Sequence, residues 1–379
     1  MARKLVTVRR IAALNEIPGA DRIEAASVDG WTCVVPVGQF EKGGLAVFFE
    51  IDSLLPAKDE RFAAFAKTND GEDIRLKTVR IRKVTSQGLL MPLATFPEIK
   101  AVVDKLALEL QPAEVEARLR AVSFEKELGV RKFVAPEQAS QKGVAGGRPA
   151  YMADFPVFIP RTDQERIQNM PGAFDEWPDS VFQETTKMDG SSMTAYFLRR
   201  DSPYFDMLPP LPLTAKNAEF PNGRFGVCSR NRDIGEVPNS GLFWPTALAN
   251  NLPSTLSRLD RNIALQGELC GSSIQANFEG FAPGAHDFFL FTIWDVDKQR
   301  PLPPREVHEI WAPKLGVKHV PVVGYHALKY VASSVGELVK RADGKGINGK
   351  KREGIVLKHV DGKVSFKAIS NSYLLKHGE

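Results

Sequence analysis

The 379-residue sequence predicts an α+β protein, with a small N-terminal β-barrel followed across a linker by a larger domain of strands and helices. Three observations carry this expectation. Short strand-like runs separated by turn signals occupy the chain up to Lys83. A helical pattern then gives way to a Gly-, Pro- and polar-rich stretch from Val134 to Ala153. Beyond it, strand-like islands each hold a charged or aromatic residue among apolar ones. The expected domains are residues 1–125 and 155–379, with 126–154 as linker.

In the first domain the strand candidates are Leu5–Ile11, Ile23–Ser27, Trp31–Val37 and Leu45–Ile51, with turns at Asp29-Gly30 and Gly43-Gly44. Arg75–Lys83 continues the series. Several short strands with turns between them suit a barrel or sandwich, and an oligonucleotide-binding (OB) barrel fits this count. Arg75, Lys77, Arg80, Arg82 and Lys83 put five basic residues in nine, which on a strand gives a ribbon suited to phosphates. The same pattern also suits a solvated edge strand protected by charge. From Ile99 to Val122 the apolar spacing turns helical, broken at Pro112, as expected of a helical segment packed on the barrel.

Composition narrows the function classes. Fifty basic against 46 acidic residues give a formal charge of +4, so nucleic-acid affinity must come from local patches. Cys33, Cys228 and Cys270 lie far apart without a CxxC, which argues against a disulfide framework or a cysteine zinc site. The six histidines form no HExxH or close pair. The N-terminus lacks the apolar core of a signal peptide, and no run approaches the ~18 apolar residues of a membrane span. The expected location is cytoplasmic, with no membrane partner.

The second domain opens near Phe155–Pro160, with a helix expected at Thr162–Ile167 and a long exposed loop over the proline-rich Tyr204–Phe220. Its central feature is Lys187-Met188-Asp189-Gly190, between the strand-like Val181–Thr186 and Ser191–Phe197. A lysine at a strand exit before a flexible Gly can present its amine to a phosphorus atom. It must first lose a proton, against an ordinary pKa of about 10.4. Lys-x-Asp-Gly alone occurs by chance in roughly one chain in ten of this length, where it is a turn with a solvated lysine. Its company changes the reading. Glu268 and Glu353 can hold magnesium, a hard cation that bridges phosphates. Phe291 can stack on a base, and Arg230 and Lys367 can neutralise charge on a phosphate.

These residues resemble the covalent nucleotidyltransferases, comprising ATP-dependent ligases and mRNA capping enzymes. Lys187-Met188-Asp189-Gly190 resembles their nucleophile motif, Gly267–Gly271 the third motif and Phe288–Phe291 the aromatic stacking motif. Glu353–Val356 and Phe366-Lys367 resemble the fourth and fifth. The first 125 residues resemble the N-terminal barrel of a bacterial nick-sealing RNA ligase family. The resemblance implies a nucleotidyltransferase domain of antiparallel sheets flanked by helices. It implies an ATP-dependent RNA ligase working through a lysyl-AMP on Lys187, with magnesium or manganese at Glu268 and Glu353. Thr186, Lys187, Arg230, Glu268, Phe291, Glu353 and Lys367 would form the ATP site. Arg230 would contact the ribose or the acceptor end, and Lys358 would assist phosphodiester formation. The implied substrate is nicked duplex RNA or an RNA–DNA hybrid.

Two residues depart from the family pattern. Thr186 stands where many RNA ligases carry the Glu that reads adenine, so base recognition must fall to its backbone or to neighbours. Ser365 replaces the first lysine of the fifth motif. Twelve residues follow Lys367 (379 − 367), too few for the C-terminal barrel of DNA ligases and capping enzymes. A GTP-using capping-type transferase and a non-catalytic RNA-binding protein with a decayed transferase fold remain as alternatives. Gly344–Lys350 has phosphate-loop spacing, but Lys351 replaces the required Ser or Thr and a helical run precedes it, so Lys340–Arg352 is expected to be a basic surface loop.

Overall fold

Alternating apolar residues build the N-terminal part. A computed structural model describes residues 3–65, 72–133, 151–238 and 241–377. Strands β1 (Val6–Arg10), β2 (Ala13–Ile17), β3 (Ala20–Val28), β4 (Trp31–Pro36), β5 (Leu45–Phe49) and β6 (Leu89–Pro92) form two three-stranded antiparallel sheets, ordered β1-β5-β6 and β2-β3-β4. On β5, Ala46 and Phe48 pack with Val28, Trp31 and Val35 of the other sheet. Val47 and Phe49 point the opposite way, onto helices α1 (Pro97–Glu109) and α2 (Pro112–Ala121) through Ile99, Val103, Val115 and Leu119. One strand thus serves two cores because its side-chain period is two. The expected helical segment divides at Leu110-Gln111, and Pro112 sits in the first turn of α2, where its missing N–H costs nothing.

Two expectations for this part are corrected. Arg75–Lys83 is not one strand: Ile74–Arg75 pairs with Ser53–Leu55, while Val79–Ile81 and Val84–Ser86 form a separate hairpin. Its turn residues Arg82 and Lys83 have φ of 46° and 72°, the left-handed conformation that a two-residue hairpin turn needs. The expected linker also starts too early. Leu128 and Val130 are buried in the first core, and Arg131–Lys132 pairs with Ser53–Leu55, so packing continues to that strand. Residues 134–150 of that linker lie outside the described residues.

The second part holds two sheets. A five-stranded sheet has the order β7 (Glu165–Arg166), β16 (Ser365–Ile369), β15 (Gly354–His359), β8 (Val181–Lys187) and β14 (Val322–Ala327). The centre of a larger sheet is formed by β11 (Arg232–Ile234), β10 (Gly223–Cys228), β9 (Ser191–Arg199), β12 (Ile263–Gly271) and β13 (His286–Asp295), in that order. Helices α3 (Phe243–Ala249) and α4 (Leu252–Leu259) cover its outer face through Phe243, Trp244, Leu252 and Leu256. Helix α5 (Val335–Ala342) covers the smaller sheet through Leu338 and Ala342.

The helix expected at Thr162–Ile167 does not form. Glu165 and Arg166 instead pair in parallel with Phe366 and Lys367, followed by a short 3₁₀ turn at Ile167–Asn169. The free edge of β16 supplies backbone partners there, and that tertiary pairing overrides a weak helix propensity. Within Tyr204–Phe220 the structure is largely irregular and Leu213 is fully exposed, as expected, with a short turn at Phe205–Met207.

The two parts share packing. Ile369, with Tyr373 and Leu374 of the last helix α6 (Asn371–His377), enters the cluster of Trp31 and Phe48. The Trp31 indole N–H donates to Asn169 Oδ1 at 2.8 Å, and Asn169 Nδ2 donates to Glu50 Oε2 at 3.1 Å.

Candidate active site

Lys187 ends β8, where the chain leaves the five-stranded sheet, and Ser191 begins β9 of the larger one. The tetrapeptide is therefore the crossing between the two sheets. Gly190 is required by a close approach: a Cβ there would lie 2.6 Å from Leu269 O and 2.7 Å from Glu268 Cγ. Gly354 faces Lys187 across the β8–β15 ladder, with Glu353 next to it.

The Lys187 ammonium donates to Glu353 Oε2 at 2.7 Å. Burial works against its charge, but Glu353, Glu268 and Asp189 outweigh that and hold its pKa above the ordinary value. Glu353 thus favours the charged form of Lys187 over the free amine. Burial pushes Glu268 up to about 8 despite Lys187, and Glu279, only 1% exposed, up to about 7. Glu279 Oε1 accepts from the Asp189 N–H at 3.1 Å. These carboxyls are short of positive charge.

A cavity of about 220 Å³ opens over Lys187. Arg3, Lys132, Arg166, Lys187, Arg230 and Lys367 line it against Asp52, Asp163, Glu165 and Glu353, six cations to four carboxylates. Asp163 bridges two of the expected residues, accepting from Lys367 Nζ at 2.9 Å and Arg230 at 3.2 Å. Burial lowers Lys367 to about 8, with Asp163 opposing the shift. Arg3 comes from the N-terminal part, held by Glu50 at 2.7 Å and Asp52 at 3.2 Å.

A second cavity, of about 190 Å³, adjoins the first through Asp163 and Gln164, which line both. Phe291, Trp294, Gln266 and Lys358 are among its walls. Phe291 is the extra residue of a β-bulge: Gln266 pairs with Thr292 and Gly267 with Leu290. A bulge re-aims side chains, so Leu290 stays in the core while Phe291 is released from it. Lys358 Nζ donates to Phe291 O at 2.5 Å and Thr292 Oγ1 at 2.7 Å, and burial lowers it to about 7. Ser365 is its cross-strand partner.

The remaining expected residues lie apart from this centre. Thr186 pairs with Ile355, one register step from Lys187 and so on the opposite face of β8, and its N–H is taken by Pro321 O at 2.9 Å. Arg75 is engaged inside the protein, donating to Asp52 at 2.8 Å and stacking on Phe133 at 3.8 Å. Lys77, Arg80 and Arg82 are exposed. The Lys340–Arg352 loop keeps exposed lysines, but its ends are tied in. Arg341 makes a two-pronged pair with Glu184, and Arg352 is buried against Ala342 O. Among the described residues no group of three or more His, Cys, Asp or Glu side chains could hold a metal ion. Magnesium does not demand one, since it commonly takes one or two carboxylates plus substrate phosphates. Oxygen donors at Glu268 and Glu353, with Glu268 short of positive charge, fit such a cation.

The family model for RNA ligase matches residues 180–369, which hold every one of these motifs. The chain belongs to the RNA ligase family. It is therefore a ligase whose substrate is RNA. A second model, for an OB-fold domain, matches residues 5–93 of this RNA ligase and covers all six strands of its two N-terminal sheets. Comparison with curated proteins yields no match. Among solved structures, the chain is similar to Naegleria gruberi RNA ligase. A variant of that enzyme with ATP and manganese is 35% identical, with a TM-score of 0.79 over 100% of both chains. The same enzyme with pyrophosphate is 36% identical, with a TM-score of 0.79 over 99% of each chain. A variant with AMP and manganese is 35% identical at 0.78, again over 99% of each.

Sequence reasoning missed several residues around the RNA ligase's cavity. Asp163 was hidden inside an expected helix, and Glu279 lies in a loop without a motif. Arg3, Asp52 and Lys132 arrive only through packing of the N-terminal part, so no local signal announces them.

Proposed function

We propose that this RNA ligase joins a 3′-hydroxyl to a 5′-phosphate in three steps through a lysyl-AMP on Lys187. The observation that carries the reading is Lys187 at the sheet crossing, bonded to Glu353 at 2.7 Å beneath a cation-rich cavity. Glu353 Oε2 is the nearest acceptor for the proton Lys187 must lose. The freed amine then forms a P–N bond to the α-phosphorus of ATP, and the bond to the β-phosphate oxygen breaks, its electrons leaving with pyrophosphate. Lys367 and Arg230 counter the charge that grows on the α-phosphate. Arg3, Lys132 and Arg166 face the same cavity and would hold the leaving phosphates. A magnesium or manganese ion at Glu268 and Glu353 would add positive charge that disfavours the Lys187 ammonium and neutralises the phosphates. A 5′-phosphate oxygen next takes the AMP, Lys187 leaving as the amine. The 3′-hydroxyl then attacks the activated 5′-phosphorus, and AMP departs.

Phe291 would stack on adenine in the adjoining cavity, with Lys358 beside it. The family likeness gave Lys358 a part in phosphodiester formation, whereas its place in this cavity supports a part in nucleotide binding. A nick in duplex RNA or an RNA–DNA hybrid is the substrate the fold supports best, with Arg80 and Arg82 of the basic hairpin, and Lys77 just before it, gripping phosphates. Three buried free thiols fit a reducing compartment and support work in the cytoplasm. No helix among the described residues is long and apolar enough to cross a membrane.

The test is incubation with α-labelled ATP or GTP plus magnesium, followed by denaturing electrophoresis. Label from ATP on the wild type and none on Lys187→Ala is expected. A Lys187→Ala protein that still takes label would overturn the assignment, and label from GTP alone would favour a capping-type enzyme.

A further inference from the structure

Thr186 cannot read a base in the way an acidic residue would: it has no carboxylate, and its N–H is spent on Pro321. Another group must do so. Gln266 lies on β12 two positions before Glu268, hence on the same face of the strand, and is only 2% exposed. Its Nε2 donates to Pro160 O at 2.7 Å. A carbonyl oxygen can only accept, so this contact fixes which end of the amide faces Pro160. The other end, Oε1, is buried without a hydrogen-bond partner among the described residues. Leaving such an acceptor unmade is costly unless a ligand satisfies it.

The cavity that Gln266 lines has the other attributes of a purine site. Phe291 and Trp294 supply aromatic walls. Lys358 Nζ lies in the same cavity, donating to Phe291 O and Thr292 Oγ1 beside the aromatic wall. Asp163 and Gln164 connect this cavity to the one over Lys187, so a base here and a phosphate there can belong to one nucleotide.

We propose that Gln266 Oε1 accepts a hydrogen bond from the exocyclic amine of adenine and is the group that selects ATP over GTP. Adenine carries a donor at C6, whereas guanine carries an oxygen there, which would meet Gln266 Oε1 acceptor to acceptor. The assignment rests on Lys187 being loaded from a nucleotide, and it adds the residue that chooses the base.

The experiment compares kcat/KM for lysine labelling with ATP and with purine riboside triphosphate, which has hydrogen at C6. In the wild type, losing the amine should cost about tenfold or more, because a buried acceptor is left unpaired. In Gln266→Leu the two nucleotides should agree within about twofold, ATP having fallen to the level of the analogue. Gln266→Glu, which keeps an acceptor oxygen, should retain a preference for ATP. The ratio is read within one protein, so poor folding lowers both rates together, and Gln266→Met replaces the Leu variant if that fails to fold. Wild-type use of the analogue within about threefold of ATP, or a wild-type ratio retained in Gln266→Leu, would overturn the proposal while leaving nucleotide loading intact. No label from any nucleotide on the wild type would instead strike the loading reading itself, and this proposal with it.

Discussion

Replacing Lys358 with Met should make the protein more stable and less active. In the folded protein Lys358 is only 8% exposed, and burial lowers its pKa to about 7 from an ordinary 10.5. Between those values the unfolded chain binds more protons than the folded one, so wild-type stability rises with pH through this window. Each pH unit of the gap is worth about 1.4 kcal/mol, so the buried charge costs about 5 kcal/mol at pH 6 and about 2 kcal/mol at pH 9. Removing it forfeits the bonds to Phe291 O and Thr292 Oγ1, about 1 kcal/mol each. Lys358→Met should then gain about 3 kcal/mol at pH 6 and almost nothing at pH 9. With an unfolding entropy of about 2 cal/mol/K per residue over 379 residues, 3 kcal/mol raises the melting temperature by about 4 °C. Calorimetric scans of both proteins at the two pH values measure this, and the other titrating groups cancel in the difference. A Met variant melting no higher than wild type at pH 6, or keeping its advantage at pH 9, would refute the reasoning. The same variant should label from ATP at least about tenfold more slowly.

Three further outcomes are expected. Asp163→Asn removes the charge that props up Lys367, so the high-pH fall of kcat/KM for ATP, expected near 8 in the wild type, should move down by about one unit. A profile unchanged in Asp163→Asn would break that link. Gly190→Ala would bring a methyl 2.6 Å from Leu269 O, and the resulting overpacking of about 1–3 kcal/mol should lower the melting temperature and slow labelling of the displaced Lys187. Arg80→Ala and Arg82→Ala should each reduce the salt slope of RNA binding by about one while leaving ATP labelling unchanged, as retention assays across a salt series would reveal. An unaltered slope would remove the hairpin from the RNA-binding face.

Much of the architecture was legible because it depends on local periodicity. Alternation marked β1, β3, β4 and β5 but not β2 (Ala13–Ile17), and the island motifs gave β8, β12, β13, β15 and β16. Pro112 announced the break between α1 and α2. The failures share a cause. Arg75–Lys83 has the composition of one strand, yet its turn is made by Arg82 and Lys83, residues that carry no turn signature. Thr162–Ile167 has helix-forming side chains but lies where β16 offers an open edge, and backbone pairing there outweighs propensities of a few tenths of a kcal/mol.

The chemistry divides along the same line. Which residues can attack, neutralise or stack is a matter of side-chain type, so Lys187, Glu268, Phe291, Glu353 and Lys367 could be proposed from their type and from the family motifs they resemble. The state of each group depends on burial and on neighbours far away in the chain, which no local pattern contains. Only the tertiary structure sets Lys187 against Glu353, 166 residues distant. Only there does Asp163 reach Lys367 across 204 residues, and the bulge release Phe291 from a run that reads as plain core. Electrostatic energies fall off with distance in space and not with separation along the chain, so the sequence supplies the charges and the fold assigns them their work.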